Sequence, residues 1–145
     1  MSKEREMLKE WALNYIKNRD VITKTIDSIE ENKEGWDIVV NTKLGEKKYY
    51  LVSPTIDKFN GILKKLNDSP ITIIVLNTKE NLEEVIKNWA SIAKFPKLCF
   101  IFANPESELD KKWVVFPHTH DKITEKKSLS KGLKSLFETV DEWRS

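Results

Sequence analysis

Two stretches, "PITIIVLN" at residues 70–77 and "LCFIFAN" at 98–104, constrain this chain more than any other feature. Each is apolar at nearly every position, so a strand built from it presents carbon to both sides of a sheet. Such a strand is stable only where helices cover both faces. Between the two runs, Leu82, Val85, Ile86, Trp89 and Ile92 recur at helical spacing, and Pro96 ends the pattern. Asn77 and Glu80 are spaced as a capping box for that helix. Strand, helix and strand at this separation predict a right-handed crossover and a parallel pair at the centre of an α/β sheet.

The upstream sequence supplies one covering helix and a meander. Leu8, Trp11, Ala12, Tyr15 and Ile16 form an apolar stripe that predicts a helix from about Ser2 to Asn18. The β-branched stretch "DVITKTIDSIEEN" alternates over Ile22, Lys24, Ile26 and Ser28 and predicts a strand. "EGWDIVVN" predicts the next, with Trp36, Ile38 and Val40 on one face and Asp37, Val39 and Asn41 on the other. A polar turn bent at Gly45 leads back into "YYLVS". Ser53 and Pro54 then read as a helix start, with Ile56, Phe59, Leu63 and Leu66 as its stripe.

Downstream, "WVVFP" predicts a short strand and "HTHDKITEKK" a loop. Leu129, Leu133, Leu136, Phe137, Val140 and Trp143 predict a closing helix. The expected architecture is a single α/β domain over residues 1–145, with helices on both faces of a mixed central sheet. In that sheet an antiparallel meander is followed by a parallel pair. The core covers about residues 3–104, followed by a C-terminal basic segment and helix at 111–143.

The charged fraction is 33% with both signs interspersed, the hydrophobic fraction is 39%, and the formal net charge is +2, which fits a folded domain and does not by itself identify a nucleic-acid binder. The one cysteine, Cys99, excludes an internal disulfide and fits a core thiol. The stretch "MSKEREMLKEW" has no signal-peptide core and no run has transmembrane length. A cytoplasmic, non-membrane protein is therefore the expectation. Four glycines and no phosphate-loop pattern argue against a nucleotide cradle.

The element order, with Gly35-Trp36-Asp37 entering the second meander strand, resembles the PD-(D/E)xK restriction-endonuclease-like superfamily, including archaeal Holliday-junction resolvases. The resemblance covers roughly residues 3–104. It implies that Asp37 matches a Mg²⁺-binding Asp and that Glu6 or Glu10 matches a helix Glu. The expected Glu-x-Lys pair falls on Tyr50 and Val52, or on Val52 and Pro54, so the motif is degenerate. Lys47 and Lys48 lie at the turn before the third strand, and one of them, with Lys48 the candidate, is able to stand in for the lysine. Homodimerisation is implied by the resemblance alone.

Outside that motif, Lys111, Lys112, Lys122, Lys126, Lys127, Lys131 and Lys134 face only Asp121 and Glu125 over residues 111–134, interleaved with Trp113, Phe116, His118 and His120. Clustered cations with aromatics are what phosphate neutralisation and base stacking require. The favoured function is a catalytically silent nuclease-fold module, a pseudoenzyme that binds DNA or RNA or serves in a DNA-processing complex. It needs no cofactor and no metal, with Asp37 the only weak metal candidate. One alternative is an active Mg²⁺-dependent endonuclease using Asp37, Glu6, Glu10 and Lys48 from displaced positions. The other is a protein-interaction or structural subunit that binds no nucleic acid.

Overall fold

In a computed structural model, residues 2–108 and 111–145 are described. Helix α1 (Lys3–Thr23) leads into a meander of β1 (Ile26–Lys33), β2 (Trp36–Thr42) and β3 (Lys47–Val52). Then come α2 (Phe59–Leu63), β4 (Ile71–Leu76), α3 (Lys79–Lys87), α4 (Trp89–Ile92), β5 (Leu98–Ala103), β6 (Lys112–Val115), α5 (Pro117–Ile123), a 3₁₀ turn (Lys126–Ser128) and α6 (Leu129–Glu138). The described strands form one sheet in the order β1-β2-β3-β4-β5-β6. The β1–β2 and β2–β3 pairs are antiparallel, β3–β4 and β4–β5 parallel, and β5–β6 antiparallel. This is the single mixed α/β sheet that the two apolar runs require. Those runs are β4 and β5, at its centre, with all six β5 residues buried.

The two faces are covered unequally. Both crossovers, β3 to β4 and β4 to β5, step in the same direction across the sheet, so right-handed connections put their helices on the same side. There Ile73, Val75, Phe100 and Phe102 pack against Phe59, Ile62, Leu82, Val85, Trp89, Ile92, Leu133 and Phe137. On the other face Ile38, Val40, Val52, Ile74, Leu76 and Ile101 meet only Leu8, Ala12 and Ile16 of α1 among buried helix residues. A helix is about 10 Å wide, while six strands at about 4.8 Å spacing span roughly 24 Å. One helix therefore leaves both flanks of its face partly open. Cys99 lies under α1, and burial pushes its thiol up to about 12, which keeps it a neutral core group. Among the described residues no helix is long and apolar enough to cross a membrane.

Several local expectations are corrected. Helix α1 continues five residues past Asn18 and carries Ile22 out to solvent, 86% exposed. It ends where Lys24 adopts a left-handed φ of 50° and the Asp20 carboxylate takes the N–H groups of Thr25 and Ile26. Ser53 and Pro54 prolong the β3–β4 ladder and start no helix: Ser53 N–H donates to Ile74 O and Pro54 O accepts from Leu76 N–H. Helix α2 begins only at Phe59. The cap of α3 is Thr78, whose hydroxyl accepts from Asn81 N–H, and not Asn77. "HTHDKIT" is mostly helical, because Pro117 sits at the first helical position with its fixed φ. The face assignment of β2 fails at its start, where Trp36 packs with Tyr49 on the many-helix side and the Asp37 carboxylate turns toward α1.

Candidate functional site

Gly35, at φ 84°, closes the tight β1–β2 turn, and Asp37 follows it, 4% exposed. The β2–β3 register runs from Asn41↔Lys47 to Ile38↔Tyr50 and stops there. Asp37 Oδ2 then accepts from Val52 N–H at 2.6 Å, replacing the ladder acceptor that β2 no longer supplies. Its Oδ1 accepts from Arg5 Nη2 in an ion pair reaching across from α1. Both carboxylate oxygens are thus engaged by the protein itself.

The remaining candidates lie elsewhere. Glu6 and Glu10 are exposed on α1, one residue beyond Arg5 and Lys9, which are the charges that turn to the sheet. Lys9 Nζ donates to Asn32 Oδ1 at 3.0 Å and pairs with Glu31 at 3.2 Å. Lys48 is opposite Val40, three residues along β2 from Asp37, or about 10 Å at strand rise. The helix charges beside the sheet are basic where the resemblance calls for a Glu, and Lys48 is not brought to Asp37. Among the described residues no three His, Cys, Asp or Glu side chains group as a metal site.

The lysine-rich segment divides at β6. Lys112 extends toward α1, its Nζ 5.3 Å from the Tyr15 ring centroid. Lys122, Lys126, Lys127, Lys131 and Lys134 are exposed on α5, the 3₁₀ turn and α6. Trp113 is 5% exposed, stacked on Phe102 with ring centroids 4.2 Å apart, which removes it from any base-stacking role. Phe116 is 50% exposed. His118 Nδ1 lies 2.8 Å from Ala93 O, so it carries the proton and donates. The His120 ring stands edge-on to Trp89, and its Nε2 is buried without a hydrogen-bond partner. Two residues apart on a helix, the histidines point to different neighbours.

Two features had no motif to announce them. The first is an asparagine network at the carboxyl ends of β4 and β5. Asn77 is fully buried; its amide donates to Val140 O at 3.0 Å and its Oδ1 accepts from Trp113 Nε1 at 2.7 Å. Asn104 donates to Asp141 O at 2.9 Å, and Trp143 N–H donates to Asn77 O at 2.9 Å. Asn81 donates to Pro54 O and Leu76 O, both at 2.8 Å, and accepts from Ile56 N–H. Open α/β sheets usually keep a ligand crevice at this end; here residues 140–143 fill it.

The second is a cleft of about 190 Å³ on the open flank of α1, lined by Tyr15, Arg19, Thr25, Lys48 and Tyr50 among others. Arg19 Nη1 donates to Tyr15 Oη at 3.1 Å, and Trp11 stacks parallel on Tyr15 with centroids 5.3 Å apart. Lys48 and Tyr50 are two apart on β3 and so share the face under α1. Burial pushes the Tyr50 hydroxyl up to about 12, with Tyr15 adding and Arg19 opposing, so it remains a neutral donor at physiological pH.

No protein-family model, curated protein or solved structure matches this chain.

Proposed function

We propose that this chain is a non-catalytic module of nuclease-like fold that binds nucleic acid through the lysines of residues 122–131. The observation that carries it is the state of Lys122, Lys126, Lys127 and Lys131. All four are exposed, and none pairs with a carboxylate among the described residues. Of the two acids in this stretch, Asp121 accepts from Trp89 Nε1 at 2.8 Å, and Glu125 forms no ion pair with these lysines. Unpaired surface cations in a row bind polyanions by releasing condensed counterions. The engagement of Asp37 by Arg5 supports catalytic silence. A two-carboxylate metal mechanism needs free anionic ligands on rigid elements, and β3 offers Tyr49, Tyr50, Leu51 and Val52 beside it.

Fluorescence anisotropy with labelled duplex, single-stranded and four-way DNA over a range of salt tests the binding. The wild type is expected to bind with affinity falling as salt rises. In the Lys126→Glu/Lys127→Glu variant, binding weakens on all three substrates, and the log–log salt slope flattens by about two. Salt-independent or absent binding would leave the chain a protein-interaction subunit. Incubation with DNA in Mg²⁺ and Mn²⁺ tests the silence, and cleavage abolished by Asp37→Ala would overturn it.

A further inference from the structure

The cleft beside α1 belongs neither to the Asp37 region nor to the lysine face. Arg19 lies 14 residues beyond Arg5 on the same helix, roughly 21 Å along its axis. We propose that this cleft is a binding site for a phosphate group, with Arg19 and Lys48 as its charge pair and the hydroxyls of Tyr50 and Thr25 as neutral donors.

Four observations point the same way. Arg19 and Lys48 line one cavity from two different elements, α1 and β3, and neither pairs with a carboxylate among the described residues. Two cations that line one cavity without an ion-pair partner favour an anion. Asp20, the one acid among the lining residues, has its Oδ1 taken by Thr25 N–H at 2.7 Å, Ile26 N–H at 3.0 Å and the Thr23 hydroxyl at 3.3 Å. Its Oδ1 is thus occupied by donors at and just beyond the end of α1. Arg19 is held in place by the Tyr15 hydroxyl, and Tyr15 by the Trp11 ring, so the guanidinium is pre-oriented.

The donor set selects the ligand. A carboxylate has two oxygens in one plane and is satisfied by a single guanidinium fork. Two separated cations plus two hydroxyls suit a tetrahedral dianion with three terminal oxygens. The volume admits a phosphate and a small attached group, with Ile16, Ile26 and Val40 as an apolar wall for that group. The phosphate can be free, part of a small phosphomonoester, or the terminus of a nucleic-acid strand.

Isothermal titration calorimetry of the full chain with inorganic phosphate, phenyl phosphate and benzoate tests the site. Saturable one-to-one binding of both phosphates, tighter than benzoate, is expected. Arg19→Gln and Lys48→Gln are each expected to weaken phosphate at least about tenfold, while Lys17→Gln, on α1 but outside the cleft, leaves it unchanged. Circular dichroism melts of the variants check that the fold is intact. Amide shifts at Thr25 and Tyr50 on phosphate addition give a second readout that needs no variant. Oligonucleotides with and without a 5′-phosphate separate a strand terminus from a small ligand. Phosphate binding no tighter than benzoate, or unaffected by either cleft variant, would overturn the site, as would loss of phosphate binding in Lys126→Glu/Lys127→Glu. Phosphate binding that survives while long DNA fails to bind would overturn the proposed function and leave the cleft standing.

Discussion

The two ends of the parallel strands are built on opposite plans. At the carboxyl ends of β4 and β5, three buried asparagines bond to backbone groups from four separate segments, and the chain from Val140 to Trp143 lies over them. At the amino end of β3, under the last turns of α1, two cations and a half-buried tyrosine line an open cleft. The first end is polar yet satisfied internally; the second is polar and unsatisfied. Burial without free hydrogen-bonding capacity marks a structural element, and free capacity in a concave place marks a recognition element. In this molecule the usual ligand crevice has become structural, and the potential for recognition has moved to the face that a single helix leaves uncovered.

The sharpest way to break this contrast is at Asn77. Asn77→Leu strands the Trp113 N–H and the carbonyl of Val140 in a buried site. It should destabilise by about 3–5 kcal/mol in urea unfolding. A loss below about 1 kcal/mol would show that the asparagine network is incidental. Next is Asp37→Ala, which leaves Val52 N–H and the Arg5 guanidinium without their acceptor. About 2 kcal/mol is expected. Because Arg5 is 39% exposed, a double-mutant cycle with Arg5→Ala should return a coupling of only about 1 kcal/mol.

Alkaline titration probes the open end. Tyr50 should ionise near 12 in an ultraviolet pH titration. Its folded pKa lies above the unfolded value of about 10. The folded state therefore holds more protons between those values, and stability falls as pH rises through that window. The smallest effect belongs to the cleft cations themselves. Arg19→Gln and Lys48→Gln should each change unfolding free energy by less than about 0.5 kcal/mol, because neither pairs with a carboxylate. A large loss at either position would make the cleft structural and erase the contrast.

The central architecture was legible because β4 and β5 carry an unambiguous signal: only a doubly covered strand is apolar on both sides. The meander and the stripe of α3 and α4 were legible for the same kind of reason, a period visible within one segment. The end of α1 was not, since Ile22 fits both an alternating and a helical pattern and the deciding cap, Asp20, acts on residues that follow it. The helix at 117–123 had a signal in Pro117 that its polar composition masked. Long-range partners left no trace at all. Arg5 and Asp37 are 32 residues apart, and nothing in the spacing says that an arginine meets that carboxylate. Arg19, Lys48 and Tyr50 come from α1 and β3, and only the folded chain brings them to one cleft. Asn77 read as a cap because its partners, Trp113 and Val140, lie far along the chain.

The strand order β1-β2-β3-β4-β5-β6 bears on how the chain reaches this state. Every strand docks beside the one made just before it, so no pairing has to wait for a distant segment to return. Loop-closure entropy stays small at each step, and folding should be fast for a protein with parallel pairs. The contacts of residues 140–143 with Asn77 and Asn104 join segments roughly 40–60 residues apart, and the packing of α1 on β4 and β5 also joins distant segments. The contacts of residues 140–143 are expected to form after the rate-limiting step. Weakening them should accelerate unfolding and leave the refolding rate almost unchanged, which makes the C-terminal tail the element that sets the lifetime of the native state.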